Sequence, residues 1–191
     1  KAAGADALLH QCDVSDPDAA TGLVEVTRET FGGIDVLVNN AGVFLQQALP
    51  DHSDDDVDLT LGVNLKGPIF LTRTALPDLL DGGGHVVNVA STAGTRGSPT
   101  DPVYSASKGG LVAFTKALTR QYTENGLMAN VVAPGATATK MYAEERRPAA
   151  RESIPLGRLM RPEDVAEAVR FFATTDSVSG KVLEVDGGLF T

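Results

Sequence analysis

The sequence has few of the residues that build disulfides or metal centres. It contains a single cysteine, Cys12, no tryptophan, and three histidines that are scattered along the chain. One cysteine excludes an internal disulfide and is typical of a protein from a reducing compartment. Scattered histidines argue against a histidine-built metal site. We therefore expect no metal, and we interpret Cys12 as a small buried apolar residue near the end of a strand.

Basic residues are outnumbered, and long apolar runs are missing. The chain has 16 lysines and arginines against 25 aspartates and glutamates, which gives a net charge of −9. This balance argues against binding to nucleic acid. No apolar run reaches the ~18 residues that a membrane helix needs, and no signal-like leader occurs. We expect a soluble, cytoplasmic protein that does not associate with a membrane.

The apolar content that is present suits one globular domain. Of the 191 residues, 42% are hydrophobic and 21% are charged. A chain of this length and composition has enough apolar residues for a substantial core. Residues 1–191 are therefore predicted to form a single domain.

The stretch from Ser91 to Lys108 gives the strongest indication of chemistry. It follows an apolar run, 85–90, that is typical of a buried parallel strand. Ser91 then lies at the carboxyl end of a strand, where open α/β sheets bind ligands. Asp101 and the proline after it are typical of a helix start, which places Tyr104 and Lys108 one turn apart on the same face.

A phenol beside an ammonium group is a device for general acid–base catalysis. An unperturbed tyrosine has a pKa of about 10, so a phenolate base near neutrality requires its pKa to fall by roughly 3 units. The cation of Lys108 supplies part of that change. The pattern Tyr-x-x-x-Lys is weak when it stands alone, because both residues are common on helix surfaces.

Further motifs surround this pair in a fixed order. Asn39-Asn40-Ala41-Gly42 follows the apolar strand 34–38, Asn64 interrupts an apolar helix, and Pro134-Gly135 follows the strand 128–133. In this order and spacing the chain resembles the short-chain dehydrogenase/reductase family, from Asp13 to the sequence VDGG at 185–188. Within that family it is most similar to 3-oxoacyl thioester reductases and related hydroxyacyl or polyol dehydrogenases.

The resemblance implies a fold and a reaction. The fold is α/β, a Rossmann-like doubly wound parallel sheet in three α/β/α layers. The reaction is hydride transfer between NAD or NADP and a small-molecule carbonyl or secondary alcohol. By resemblance, Tyr104 exchanges the proton, Ser91 holds the substrate oxygen, and Lys108 lowers the tyrosine pKa and grips the nicotinamide ribose. A cationic nicotinamide ring lowers that pKa further. Family members also pair through the helix that contains Tyr104, so a homodimer or homotetramer is expected.

Asn64 is the fourth catalytic candidate. By resemblance it lies at a local helix break, where the freed backbone holds a water linked to Lys108 and relays protons to solvent. The alternative is that Asn64 merely satisfies the kinked backbone.

The residues that the resemblance assigns to cofactor binding lie mostly after strands: Asp13, Val14, Asn39, Ala41, Gly42, Tyr104, Lys108, Pro134, Gly135, Thr137 and Thr139. Asp13 and Val14 are expected at the adenine ring, and Asn39, Ala41 and Gly42 along the adenosine. Thr137 is expected at the nicotinamide carboxamide, and the Thr139 hydroxyl at the cofactor. Simpler interpretations exist: a turn aspartate at Asp13, amides that tie strands together after the strand 34–38, and a plain turn at Pro134.

Local patterns predict the remaining elements. A strand is expected at 7–12, and a helix that Asp16 caps, Pro17 opens and Gly32-Gly33 ends. A second helix is expected to be capped at Ser53. Residues 140–159 correspond to the mobile substrate lid of the family. A last helix is expected to end at Thr174, before a strand at 181–185.

The sequence departs from the family at its start. The family's first βαβ unit, whose Gly-x-x-x-Gly-x-Gly turn cradles the pyrophosphate, has no counterpart here. In the strand order 3-2-1-4-5-6-7, this leaves the predicted strand 7–12 about 14 Å from the strand 34–38, whose apolar edge is bare.

Two explanations of this departure stay open. Either a native upstream segment of roughly 40 to 50 residues supplies the unit, or the chain rearranges or pairs to cover the edge. The alternative function is that of a truncated, catalytically inactive paralogue that acts only as an oligomerisation or binding partner. The sequence does not discriminate NAD from NADP, because the discriminating residues belong to the second strand of the family.

Overall fold

The sheet contains four parallel strands in the order β1-β2-β3-β4. These results come from a computed structural model, which describes residues 4–142 and 144–190 apart from the side chain of Arg146. The strands are β1 Val36–Asn39, β2 His85–Val89, β3 Met128–Pro134 and β4 Val182–Val185. Because all four run in the same direction, their carboxyl ends meet at one edge of the sheet. The predicted doubly wound parallel sheet is confirmed.

Seven α-helices surround this sheet in the described part of the chain: α1 Pro17–Phe31, α2 Asp54–Leu61, α3 Gly67–Leu80, α4 Thr92–Arg96, α5 Pro102–Tyr122, α6 Arg147–Ser153 and α7 Pro162–Ala173. Helices α1, α3 and α5 pack on one face, where Val86 of β2 and Ala129 of β3 join their apolar residues. Helix α7 packs on the other face against Val87 and Val132. Neighbouring strand residues point to opposite faces, so this arrangement gives the three expected layers.

The helix boundaries follow local capping chemistry. The Asp16 carboxylate accepts the N–H of Asp18 at 2.9 Å and so begins α1, and Gly32, with φ of +88°, ends it. Ser53 and Asp56 form a reciprocal capping box at the start of α2. These side chains satisfy N–H groups that the first turn of a helix leaves unpaired. The caps predicted at Asp16, Gly32 and Ser53 are confirmed.

The strand predicted at 7–12 is wrong. Residues 5–13 have no regular secondary structure, and Leu9 is 98% exposed. Cys12 is only partly buried, contrary to expectation, and burial together with the neighbouring Asp13 raises the pKa of its thiol. A strand needs a neighbour for its backbone hydrogen bonds, and none of the four strands lies beside this segment.

The edge of β1 is open, as the missing strands led us to expect. Among the described residues only β2 pairs with β1. Val36 and Val38 on β1 are 38% and 40% exposed. No helix in the described ranges is long and apolar enough to cross a membrane. Within the same ranges, no three His, Cys, Asp or Glu side chains cluster as a metal site would require.

Candidate active site

Ser91 begins the site at the carboxyl end of β2. It caps the short helix α4, and its Oγ accepts the N–H of Ala93 at 3.1 Å. Helix α4 is packed closely on α5, because a Cβ at Gly94 would lie only 2.6 Å from the backbone carbon of Lys108. This contact sets the distance between the serine and the helix that contains Tyr104.

Tyr104 lies in the first turn of α5 and is 9% exposed. The hydroxyl of Ser91 lies close enough to the phenol to favour its ionised form. The Tyr104 ring packs against Phe44, with 4.7 Å between the ring centroids. Two hydroxyl groups, from a strand end and from the adjoining helix, therefore lie near each other, and a carbonyl oxygen placed between them would contact both.

Lys108 follows one turn later and is almost fully buried. Its Nζ donates a hydrogen bond to the carbonyl oxygen of Val89 at 2.9 Å and lies 5.9 Å from the centre of the Tyr104 ring. Burial lowers the pKa of Lys108 from 10.5 to about 8. The strand end thus fixes the ammonium group beside the phenol.

The pKa of Tyr104 moves in the direction opposite to expectation. Burial raises it, the Ser91 hydrogen bond lowers it by less, and the negative charge of Asp101 raises it further. The free-energy cost of removing water from a phenolate is larger than the stabilisation that Ser91 gives it. Tyr104 therefore stays protonated near neutral pH, which is the state of a proton donor.

Asn64 lies in a π-helical turn, Gly62–Lys66, between α2 and α3. Its Oδ1 accepts the N–H of Val43 at 2.8 Å, and its Nδ2 donates to the Val43 carbonyl at 2.9 Å and to Ser107 Oγ at 3.1 Å. The expected helix break is confirmed. The side chain ties the segment after β1 to the helix of Tyr104 and Lys108, and its water relay stays a prediction.

Gly42 lies where these groups converge. A Cβ at this position would be 3.2 Å from Asn64 Oδ1 and 3.4 Å from Lys108 Nζ. Both distances are short for a side-chain contact, so glycine allows the backbone to pass directly beside the two polar groups. Ala41, the preceding residue, is exposed at the same strand end.

Asn39 is placed in the core, and its side chain does not reach the cleft. It is 4% exposed, and its Nδ2 donates to Asn88 Oδ1 at 2.7 Å and to Thr72 Oγ1 at 3.3 Å. The simpler interpretation, an amide that ties β1 to its neighbours, accounts for this side chain. Its Oδ1 has no hydrogen-bond partner among the described residues, and a contact between Asn39 and a cofactor stays a prediction.

Asp13 and Val14 lie before α1. The Asp13 carboxylate accepts the N–H and the Oγ–H of Ser15 at 2.9 and 2.7 Å, which lowers its pKa. Val14 packs against α3, because a Cβ at Gly67 would meet Val14 Cγ2 at 2.8 Å. Local structure therefore explains both residues, and their contact with an adenine ring stays a prediction.

The loop after β3 places Thr137 and Thr139 at the same edge of the sheet. Pro134 ends the strand, and Gly135 lies close to β4, since a Cβ there would be 3.0 Å from the Asp186 Cβ. The Thr137 hydroxyl donates to the Gly135 carbonyl at 3.0 Å. Arg147, in the predicted lid, donates to the Thr139 carbonyl at 2.9 Å. Residue 143 of that lid lies outside the described residues.

Sequence reasoning missed two contributors to this site. Phe44 lies against Tyr104, and His52 contacts Asp101 at 3.2 Å. The helix-start pattern predicted Asp101 as a cap and nothing beyond that. No local pattern connects His52 with a residue so far along the chain.

The buried charge of Lys108 makes a prediction for stability. In the unfolded chain the lysine holds its proton up to about pH 10.5, whereas in the fold its pKa is about 8. Below pH 8 Lys108 is charged in both the folded and the unfolded state. Burial of this charge then lowers the free energy of unfolding by its full amount, about 3 kcal/mol. Between pH 8 and 10.5 the unfolded state binds more protons, so stability rises with pH.

We expect Lys108→Met to be more stable than the wild type at pH 7, by about 2 kcal/mol after the loss of one hydrogen bond. The difference in free energy of unfolding between Lys108→Met and the wild type should decrease from pH 8 to 10.5. Urea unfolding across this range measures that difference. A constant gap would contradict the assignment of the buried charge to Lys108.

Comparisons with known proteins agree with this geometry. The family model for enoyl-(acyl carrier protein) reductase matches residues 1–190. A 3-oxoacyl-[acyl-carrier-protein] reductase, FabG, from Thermotoga maritima is 38% identical over 93% of this chain and 74% of its own length. Carbonyl reductase family member 4 from Xenopus laevis is 36% identical over 95% and 78%.

Among solved structures, one described as ElxO with NADP bound is similar, with a TM-score of 0.88 at 28% identity. The similarity covers 94% of this chain and 77% of that one. The matching family model, the relatives and the shared fold lead to one assignment. The chain belongs to the short-chain dehydrogenase/reductase family.

Proposed function

We propose that this protein is an NAD(P)-dependent oxidoreductase that interconverts a carbonyl compound and a secondary alcohol. The observation that supports this most is the proximity of the Ser91 and Tyr104 hydroxyls at the strand ends. Lys108 Nζ lies beside them, 5.9 Å from the centre of the Tyr104 ring. The family assignment and the reductase names of the relatives support the same reaction class.

The residues of the chain perform the proton chemistry. Ser91 and Tyr104 both donate hydrogen bonds to the substrate oxygen, which polarises the carbonyl. As negative charge develops on that oxygen, Tyr104 transfers its proton to it, and the alcohol forms. When bound, the nicotinamide supplies the hydride for reduction. The raised pKa of Tyr104 favours this direction, since the phenol starts protonated.

Lys108 supports the phenolate that remains after proton transfer. Its ammonium is fixed by Val89, so it needs no rearrangement as the charge appears. We propose that Asn64 keeps Lys108 and the active helix in register through Ser107. In oxidation the same groups act in reverse.

The residues at the strand ends suit the nicotinamide end of a dinucleotide. Lys108 offers ammonium donors beside Gly42, whose missing Cβ lets the backbone lie close to Lys108 Nζ and Asn64 Oδ1. Thr137 and Thr139 supply backbone groups and hydroxyls on the opposite side of the cleft. The structural neighbour is described with NADP bound, and we propose that the same face of this chain takes NAD or NADP.

The substrate class follows from the relatives. Their names, a 3-oxoacyl-[acyl-carrier-protein] reductase and a carbonyl reductase, share a carbonyl group as the group that is reduced. We propose a small ketone or a 3-oxoacyl thioester, with the ring of Phe44 as one wall of its pocket.

We further propose a cytoplasmic homodimer or homotetramer. Apolar side chains around the outer strand support association, since Phe171, Leu183 and Phe190 are 50%, 39% and 38% exposed. Sedimentation of the chain at micromolar concentration tests this, and a monomer would contradict it.

Cofactor binding tests the proposed function directly. Titration of the chain with NADPH and with NADH, followed by nicotinamide fluorescence, should give saturable binding for at least one. Lys108→Met should weaken that binding, whereas Lys116→Met, a lysine exposed on the same helix, should not. Absence of binding to either nucleotide would favour the inactive paralogue.

A further inference from the structure

A buried carboxylate lies at the start of the active helix, outside the set of residues that the reaction uses. Asp101 is fully buried, with a relative exposure of 0%. Its Oδ1 accepts the backbone N–H of Tyr104 at 2.9 Å, and its Oδ2 accepts the N–H of Gln46 at 3.0 Å. One carboxylate therefore holds two separate segments of the chain at the site.

His52 lies behind this carboxylate. Its Nε2 is 3.2 Å from Asp101 Oδ1, and the two side chains are 1% and 0% exposed. Neither ring nitrogen of His52 makes a hydrogen bond in the described ranges. The imidazole therefore contacts Asp101 through proximity, with its Nε2 edge towards the carboxylate. His52 also immediately precedes the cap of α2, so it brings a third segment to the same point.

Asp101 holds one end of the active-site wall, residues 43–48. Asn64 holds the other end through Val43, and between them Phe44 packs on the Tyr104 ring. Gln46 has a φ of +65°, the only positive φ at a non-glycine residue in the described part of the chain. Such a backbone conformation is maintained only where surrounding contacts enforce it, and the hydrogen bond to Asp101 is one of these contacts.

We propose that Asp101, with His52 packed behind it, is a positioning residue that holds Tyr104 and the active-site wall around one reacting oxygen and places a buried carboxylate beside the phenol. The inference rests on the proposed function, because it gives Tyr104 the proton-transfer role. It extends that function to two residues that neither the family motifs nor the reaction itself require.

The charged and polar groups around the phenol act from three sides. Lys108 approaches from its own helix, Ser91 from the end of β2, and Asp101 from the helix start, with His52 behind it. The negative charge of Asp101 raises the pKa of Tyr104. The polar Nε2 edge of the His52 imidazole lies 3.2 Å from Asp101 Oδ1, where it screens the charge of the carboxylate.

Substitutions at Asp101 and at His52 should therefore shift the pH at which Tyr104 ionises in opposite directions. Asp101→Asn removes the charge and keeps a side chain that caps helices well, so Tyr104 should ionise at lower pH. His52→Leu replaces the polar imidazole edge beside Asp101 with an apolar side chain and leaves the carboxylate less screened, so Tyr104 should ionise at higher pH. In the Asp101→Asn background, His52→Leu should cause no further shift.

Tyrosinate absorbance measures these midpoints without substrate or cofactor. The chain has three tyrosines, and subtraction of the Tyr104→Phe titration isolates Tyr104. Asp58→Asn, which removes an exposed carboxylate from α2, is the matched control and should leave the midpoint in place. Asp101→Ser, also a helix cap, replaces Asp101→Asn if that variant does not fold.

An unchanged ionisation midpoint of Tyr104 in both Asp101→Asn and Asp101→Ser would overturn the inference. Shifts of the same sign from substitutions at Asp101 and at His52 would overturn it as well. In an active preparation, Asp101→Asn should lower kcat by about tenfold or more with a smaller change in KM, as loss of alignment does. The absorbance titration does not depend on turnover. Opposite shifts in a chain that binds no cofactor would preserve the charge arrangement and reject only the proposed function.

Discussion

Tyr104→Phe is expected to lose almost all carbonyl reduction while keeping its fold and its affinity for cofactor. The substitution removes one hydroxyl, the group that lies near Ser91, and leaves the ring that packs on Phe44. General acid catalysis by a positioned side chain contributes about 10²–10⁴ to a rate, so kcat should fall by that factor. Steady-state rates with a ketone, together with nicotinamide fluorescence titration, measure both quantities.

Tyr122→Phe provides the matched control for this prediction. Tyr122 ends the same helix and packs on the apolar core that α1 and α3 share. Its replacement makes the same chemical change more than four turns from Tyr104 and should leave kcat near the wild-type value. Turnover retained in Tyr104→Phe would show that another group supplies the proton, and the role assigned to the phenol would be withdrawn.

The elements that the sequence predicted well are those with local causes. Asp16, Ser53 and Asp101 each cap a helix through backbone groups two or three residues away. Such contacts depend on neighbouring residues alone, so composition and spacing reveal them. The order of the parallel strands also followed, because apolar runs alternate with amphipathic helices.

The predictions that the structure does not support concern features that depend on residues distant in the sequence. The apolar run 7–12 has the composition of a strand, but strand formation requires a neighbouring strand, and β1 pairs only with β2 among the described residues. Asn39 stands in a motif associated with cofactor, yet its amide is used by Asn88 and Thr72. Only the folded arrangement decides between these uses of one side chain.

The electrostatics of the site were the least predictable feature. Helical spacing placed Lys108 beside Tyr104, which suggested a lowered pKa for the phenol. Spacing carries no information about burial, and burial raises the pKa of Tyr104 and lowers that of Lys108. The contact of His52 with Asp101 was likewise not predicted, because helices α2, α3 and α4 and strand β2 separate the two residues in the sequence.

Gly94→Ala is expected to destabilise the fold and disable the site together. A Cβ at Gly94 would lie 2.6 Å from the backbone carbon and 2.8 Å from the Cβ of Lys108. Neither atom belongs to a flexible side-chain end, so α4 has to move away from α5. Overpacking of this kind costs about 1–3 kcal/mol. Because Ser91 caps α4, the same movement separates Ser91 from Tyr104.

Gly22→Ala makes the same chemical change where there is room for it. Gly22 lies inside α1, and a Cβ there would meet nothing within 4 Å. Alanine is favoured over glycine in a helix by about 1 kcal/mol, so this variant should be slightly more stable than the wild type. Urea unfolding should show Gly94→Ala below the wild type and Gly22→Ala above it. Equal stabilities, or a Gly94→Ala protein with normal turnover, would contradict the view that contact between α4 and α5 aligns the serine with the tyrosine.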